Sequence, residues 1–273
     1  MTMTSLTLDV VRKASDVKGE YKPTDEDRKN LAPLPGHFKL SGDGVFHTIQ
    51  GEGNWIGRPC TFIRLHFCNL HCTWCDAFYT WDARTEMYYK EPTNCALDDL
   101  HGRIRQAQLE KGVKDDYHIW QLVFTGGEPM LQQKLIAEFK FKYPQYIIQI
   151  ETNGTIMPLP VLTDKNVKYN CSPKLPSSGN KKSMAYKPQV LEALCDTFEP
   201  CFKFVFSTPE DIDEVLREYS FIPRHMIYMM PEGVTKEENQ EKYFRCANRI
   251  LEAGLSTTPR LQNIMFDWAK RGV

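Results

Sequence analysis

The 273 residues are enough for one large α/β domain or two small ones with a sizeable core, and a formal net charge of -1 gives no electrostatic footprint for nucleic acid or an acidic membrane. The longest apolar runs, such as LVF (122–124) and YII (146–148), are too short to span a bilayer, and MTMTSLTLDVVRKAS lacks the apolar stretch of a signal peptide. The expectation is a cytoplasmic protein with a small or proteinaceous substrate and neither nucleic acid nor membrane as partner.

Residues 1–36 are polar and charged, with KGEYKPTDEDRKN followed by APLPG, a composition that buries little apolar surface. They read as an extension, partly disordered and with at most one short helix, ahead of a catalytic domain over 37–273. Strand patterns follow at TFIRLHF (61–67), QLVFT (121–125), YIIQIET (146–152), VKYNCS (167–172), CFKFVFS (201–207) and MIYMMP (226–231). Helical patterns lie near 96–111, 131–142, 187–197, 209–219 and 236–253. Alternation of this kind implies a parallel sheet, because parallel neighbours need a crossover. Six such units suggest an α/β fold of the partial (β/α)6, TIM-like barrel type.

The chemically suggestive stretches share an address. CNLHCTWC follows the first strand, TGGEP the second, ETNGT the third and SPK the fourth. All fall at carboxyl ends of strands, where β/α barrels and open parallel sheets assemble their sites.

Nine cysteines, an odd number without a secretion signal, argue against a disulfide framework. Cys60, Cys171 and Cys201 sit in or beside strand-like runs, and Cys95, Cys195 and Cys246 in helical or turn contexts; all six read as plain core or partly buried residues. Cys68, Cys72 and Cys75 differ, with the spacing C-x3-C-x2-C. Three local thiolates on a four-iron cube leave one iron open to a ligand. A Cys3His zinc site with His66 or His71 is the competing reading, although His71 adjoins Cys72 and immediate neighbours rarely converge on one ion. A loop with no metal is the third.

The same spacing, with Trp74 just before the last cysteine, resembles the signature of the radical S-adenosylmethionine enzymes, and Thr125-Gly126-Gly127-Glu128-Pro129 resembles their GGEP motif. More specific stretches surround these: FHTIQGEGNWIGRP (46–59), TFIRLHFCNLHCTWCDAFYTWD (61–82), FTGGEPMLQ (124–132), ETNGT (151–155), SPK (172–174), MPEG (230–233) and the terminal PRL and KRGV. Over most of 44–273 the chain resembles 7-carboxy-7-deazaguanine synthase.

That resemblance implies rearrangement of 6-carboxy-5,6,7,8-tetrahydropterin to 7-carboxy-7-deazaguanine with loss of ammonia, on the route to queuosine and other deazapurines. It implies a 4Fe-4S cluster on Cys68, Cys72 and Cys75, S-adenosylmethionine on its open iron, magnesium, a flavodoxin- or ferredoxin-like electron donor and a homodimer. Arg64, at the end of the strand before the cluster loop, matches a clamp for the substrate carboxylate, which a guanidinium grips with paired hydrogen bonds; a salt bridge to Glu52 or Asp76 is its alternative use. Arg64, Gln50 and Glu52 are the expected catalytic set, and Ile49, Gln50, Gly51, Thr125 and Val273 match substrate contacts. Trp74, Cys75, Asp76, Gly126, Gly127, Glu128, Ser172, Pro173 and Lys174 match the surroundings of S-adenosylmethionine, with Glu128 suited to hold its ammonium.

Two positions depart from the pattern. Ala77 replaces the Thr or Ser whose hydroxyl would bind magnesium, and Gln262 stands where PRLH would have His. A radical activase acting on a partner protein and a zinc-stapled binding module are the other functional readings. The first requires an exposed docking face and no carboxylate clamp; the second would be colourless.

Overall fold

The computed structural model describes residues 13–114 and 116–266. Among these, one sheet contains β1 (His37–Ile49), β2 (Pro59–Leu65), β3 (Thr93–Ala96), β4 (Gln121–Gly126), β5 (Ile147–Thr152), β6 (Val167–Cys171), β7 (Cys201–Phe206), β8 (Ile227–Pro231) and β9 (Ser256–Thr257). The order is β3-β1-β2-β4-β5-β6-β7-β8-β9. From β2 to β9 every neighbour is parallel, and β1 runs antiparallel between β2 and β3. The helices are α1 (Asp25–Leu31), α2 (Glu86–Lys90), α3 (Leu97–Glu110), α4 (Gln133–Lys142), α5 (Lys182–Ala185), α6 (Pro188–Cys195), α7 (Pro209–Glu218), α8 (Lys236–Ala253) and α9 (Leu261–Met265). The architecture is a partial β/α barrel.

Strand chemistry explains why the barrel holds a site. Along β5, β6 and β7 apolar residues alternate with buried or half-buried polar ones: Ile148 and Ile150 with Gln149 and the half-buried Glu151, Tyr169 and Cys171 with Lys168 and Asn170, Phe202 and Phe204 with Lys203. Successive side chains point to opposite faces. The apolar set forms the main core with Ile136 and Phe139 of α4, Leu191 and Leu194 of α6, Ile212 and Val215 of α7 and Cys246 and Ile250 of α8. The polar set is thereby committed to the inner face. Local signals agree: Thr24 with Asp27, Thr208 with Asp211 and Thr235 with Glu238 form capping boxes opening α1, α7 and α8, each satisfying donors left free by the first turn.

The six expected strands are β2 and β4 to β8, each within two residues or so of its expected limits. The structure adds β1, β3 and the two-residue β9. Gly42 and Gly44 interrupt β1 with φ of 59° and 65°, and its register against β2 shifts between Leu40 and Val45; this bulge breaks the period-two signal. Cys95 lies in β3 and not in a helix or turn.

The described part of the N-terminal segment lies against the cluster loop. Ala14 N–H donates to Cys75 O at 2.9 Å and Ser15 N–H to Thr73 O at 2.8 Å. Ala14 is 2% exposed and packs with Ala77, Phe78 and Tyr79, while Lys13 pairs with Glu232 at 2.7 Å. Ala14→Glu would bury an unpaired charge in this contact. The expected result is faster limited proteolysis between residues 13 and 24 with the unfolding of the barrel unchanged; an unchanged digestion rate would refute this account of the docking.

Candidate active site

The carboxyl ends of the strands surround a cavity of about 520 Å³. Cys68, Cys72, Trp74, Cys75, Asp76 and Ala77 form one wall, Ile49 at the end of β1 with Gln50, Gly51 and Glu52 from the loop after it another, and Arg64, Thr125, Gly126 and Gly127 reach it from β2, β4 and the turn after β4. Ser172 and Lys174 complete the rim. The sequence-derived set is therefore brought together with three exceptions. Glu128 is fully buried away from the cavity, and its carboxylate accepts from Met130 N–H at 2.9 Å, Thr152 Oγ1 at 2.8 Å and Asn153 N–H at 2.7 Å. Three of its roughly four acceptor sites are thus taken, and the carboxylate ties two loops together. Pro173 is buried behind Ser172 and does not line the cavity. Val273 lies outside the described residues.

Backbone fit places the cluster loop. Phe67 turns the chain with φ of 78°, and Gly127 and Glu128 donate their N–H groups to Leu65 O and Phe67 O at 3.0 and 2.8 Å. A Cβ on Gly126 would stand 2.0 Å from Leu65 O, and one on Gly127 2.0 Å from Phe67 O. The paired glycines thus let the β4 turn lie directly on the end of β2; their close approach is to the chain itself.

Burial pushes all three thiols up, Cys68 to about 12, so the cysteines become thiolates only with a cation on them. The sulfurs already meet donors: Leu70 N–H reaches Cys68 Sγ at 3.5 Å and Asn180 Nδ2 reaches Cys72 Sγ at 3.1 Å. Three cysteines on one cavity wall, with N–H groups aimed at sulfur, fit a cluster. The histidines of the zinc reading are used elsewhere. His66 Nδ1 bonds Ser41 Oγ at 3.0 Å in a fully buried place, and His71 stacks on Trp81 with centroids 4.9 Å apart. Among the described residues no three His, Cys, Asp or Glu are grouped to hold a metal ion.

The opposite wall is a charged network. Glu52 is paired with Lys203 and, at 3.1 Å, with Arg260, and it accepts from Gln262 Nε2 at 2.6 Å. Burial alone would raise the Glu52 carboxyl, but Lys203 and Arg260 outweigh it and hold it well below the usual range. Arg260 also pairs with Asp76. Desolvation in the cavity opposes charge on Asp76, yet Arg260 prevails and lowers that carboxyl too. Beside them Glu151 accepts from Gln50 Nε2 at 3.0 Å and Thr125 Oγ1 at 2.7 Å. The Arg64 guanidinium lies over the Phe46 ring, 5.3 Å from its centroid.

These side chains do not fit a magnesium ion. Ala77 offers a methyl group where an oxygen ligand is needed, and the neighbouring carboxylates of Asp76 and Glu52 are engaged by Arg260. Sequence reasoning singled out neither Glu151, Lys203 nor Arg260 as site residues. A lysine alternating with phenylalanines in CFKFVF is the available signal for Lys203; Arg260 and Glu151 lie within PRL and ETNGT, motifs that by themselves give neither a role.

A family model described as a 4Fe-4S single cluster domain matches residues 49–157. The chain is 31% identical over 222 residues to the 7-carboxy-7-deazaguanine synthase of Pyrobaculum aerophilum, covering 80% of this chain and 90% of that relative. With the enzyme of the same name from Rickettsia prowazekii it shares 32% over 233 residues, covering 81% and 86%. The chain belongs to the 7-carboxy-7-deazaguanine synthase family. It is accordingly a radical S-adenosylmethionine lyase that uses a 4Fe-4S cluster. The crystal structure of QueE from Escherichia coli matches its fold with a TM-score of 0.60 at 22% identity, over 82% of this chain and 94% of that one.

Glu128→Ala would leave three buried donors without their acceptor. The expected loss is about 2–5 kcal/mol of stability, read as a lower unfolding midpoint in protein free of cluster and S-adenosylmethionine. A stable variant that only binds S-adenosylmethionine more weakly would return Glu128 to the ligand.

Proposed function

We propose that this chain converts 6-carboxy-5,6,7,8-tetrahydropterin to 7-carboxy-7-deazaguanine with loss of ammonia, and that the residues on the two walls of the cavity divide the work. The observation carrying this reading is that the three-cysteine loop lines the same cavity as Gln50, Glu52, Arg64 and Thr125. When bound, the cluster and S-adenosylmethionine supply the radical that takes hydrogen from the pterin; the chain supplies positioning and charge.

Arg64 grips the substrate carboxylate, its charge sharpened by the partly desolvated wall. Gln50 and Thr125, both already hydrogen-bonded to Glu151, are pre-oriented to meet the donor and acceptor edge of the pterin, with Ile49 and Gly51 beside them. Glu52 stays ionised because Lys203 and Arg260 hold it so, which suits it to orient a polar group and not to act as a proton donor near neutral pH. Cys68, Cys72 and Cys75 hold the cluster, while Trp74, Asp76, Gly126, Gly127, Ser172 and Lys174 surround S-adenosylmethionine. Lys174 is steadied by Ser172, donating to its carbonyl and hydroxyl at 2.8 Å each, and lies 5.5 Å from the Trp74 centroid. Arg260 supplies fixed positive charge beside Asp76, where the magnesium of the wider family resemblance has no side-chain oxygen at position 77. A flavodoxin- or ferredoxin-like donor, a homodimeric state and a cytoplasmic location complete the proposal; no helix among the described residues is long and apolar enough to cross a membrane.

The deciding experiment is anaerobic reconstitution and assay with the carboxylated tetrahydropterin. Native protein should form the deazaguanine; Cys72→Ala should form no deoxyadenosine, and deoxyadenosine without deazaguanine from native protein would leave the radical chemistry standing and overturn the substrate. Arg64→Ala should weaken pterin binding by about 2–5 kcal/mol, as for truncating one partner of a buried charged pair, with S-adenosylmethionine affinity unchanged. Equal loss of both ligands would make Arg64 structural.

Chelation of magnesium should leave turnover of the native protein unchanged. A steep loss on chelation, restored by added magnesium, would show that substrate and water complete a site that Ala77 does not.

A further inference from the structure

Asn180 lies outside every motif used so far, eight residues beyond Ser172, yet its side chain is aimed at the cluster loop. Its Nδ2 stands 3.1 Å from Cys72 Sγ and 3.0 Å from Ser178 Oγ, and its Oδ1 accepts from His71 N–H at 2.9 Å. The amide has one sensible orientation. His71 N–H can only donate, so the atom facing it must be the carbonyl oxygen, and the NH2 group is left facing sulfur.

The supporting loop is built to hold that aim. Thr73 N–H donates to Ser178 O at 3.0 Å, which ties the two loops together on either side of the Cys72 contact. Gly179 adopts φ of 79°, and a Cβ there would meet Thr73 Cγ2 at 2.8 Å, so the turn carrying Asn180 packs closely on the Thr73 side chain of the cluster loop. Ser178 is fully buried and its hydroxyl also meets Asn180 N–H at 3.4 Å. The contact at Cys68 comes from a backbone N–H, which any side chain at that position would retain. The contact at Cys72 comes from a side chain that substitution can remove.

We infer that Asn180 is a positioning residue that sets the reduction potential of the cluster through its hydrogen bond to the Cys72 sulfur. The inference rests on the cluster assignment above. A hydrogen bond to a cluster sulfur stabilises negative charge there, and the reduced cluster carries one electron more than the oxidised one. The donor therefore favours reduction, and its loss makes the potential more negative. His71 serves as the anchor in this arrangement: its backbone holds the amide oxygen, leaving its exposed ring stacked on Trp81.

The test is a redox titration of reconstituted native, Asn180→Ala and Asn180→Asp proteins, with the reduced cluster followed by electron paramagnetic resonance and iron content and unfolding midpoint measured on the same samples. Asn180→Asp keeps an acceptor for His71 N–H while replacing the donor to sulfur with an oxygen. Asn180→Ala should lower the equilibrium constant for reduction about tenfold, a shift of about 59 mV for one electron, and Asn180→Asp should lower it further, both at full iron content. Potentials equal to that of the native protein would overturn the inference while leaving the cluster intact. Failure of both variants to take up iron would also overturn it, since Asn180 would then shape the loop and not tune it. A native protein that takes up no cluster would remove the reading on which the inference stands, and no pterin is needed to see which of these occurs.

Discussion

The buried carboxylate of Glu128 is the point on which the site depends. Its three acceptor contacts, to Met130 N–H, Thr152 Oγ1 and Asn153 N–H, bind the turn after β4 to the end of β5. From there the chain of contacts continues, because Asn153 Nδ2 donates to Asn69 Oδ1 at 2.9 Å and Asn69 Nδ2 to Thr155 Oγ1 at 2.8 Å. Asn69 sits between Cys68 and Cys72. One carboxylate thus fixes the relation between two strand ends and, one step further on, the cysteine loop. Burial raises its pKa even though backbone and hydroxyl donors resist that shift. The cost of desolvating the group is offset only while all three donors are present, which makes the arrangement cooperative.

The wall around Glu52 is organised by charge in place of backbone fit. Lys203 and Arg260 converge on Glu52, and burial makes each member costly without the others. Burial disfavours the charge on Lys203, but Glu52 and then Glu151 outweigh it and raise its pKa. The consequence is a rigid polar surface facing the cavity, and also a tether for the C-terminal segment. Leu261 N–H donates to Gly51 O at 3.0 Å and Gln262 reaches Glu52. A Cβ on Gly51 would stand 1.8 Å from Gln262 Oε1 and 3.1 Å from Gln262 N, so a side chain at 51 would displace the Gln262 amide from Glu52. The two departures from the family pattern, Ala77 and Gln262, both adjoin residues held by this network. Arg260 contacts the Asp76 beside Ala77, and Gln262 contacts Glu52.

Much of this was legible in the sequence, for identifiable reasons. The six parallel strands carry apolar runs bounded by turns and separated by helix-length patterns, and the site motifs stand where parallel strands end. The C-x3-C-x2-C loop announces itself because its spacing is local. What the sequence hid was non-local or irregular. The β1 strand carries two glycines at positive φ, which erase its alternation. Glu128 sits in the right motif, but whether its carboxylate faces inward to Asn153 or outward to a ligand is decided by a partner 25 residues away. Lys203 and Arg260 become site residues only because the barrel brings β7 and the segment before α9 to Glu52, at separations of 151 and 208 residues.

The cluster loop shows how these separate constraints combine. Between residues 69 and 75 it is held by Asn153 just after β5, by Ser178 and Asn180 from the loop after β6, and by Ala14 and Ser15 from the N-terminal segment. None of these contacts involves the ligands that the cysteines would bind. These contacts restrict the loop's backbone independently of the sulfurs' own ligand, which lowers the entropy that cluster binding has to offset. Arg64 and Thr125 lie on β2 and β4, the two strands joined by the Gly126 and Gly127 contacts, so their placement relative to the cysteine loop is set by the same strand ends. Radical chemistry depends on a reacting carbon lying where the radical forms. In this fold that alignment is a property of the strand ends and the polar groups buried behind them.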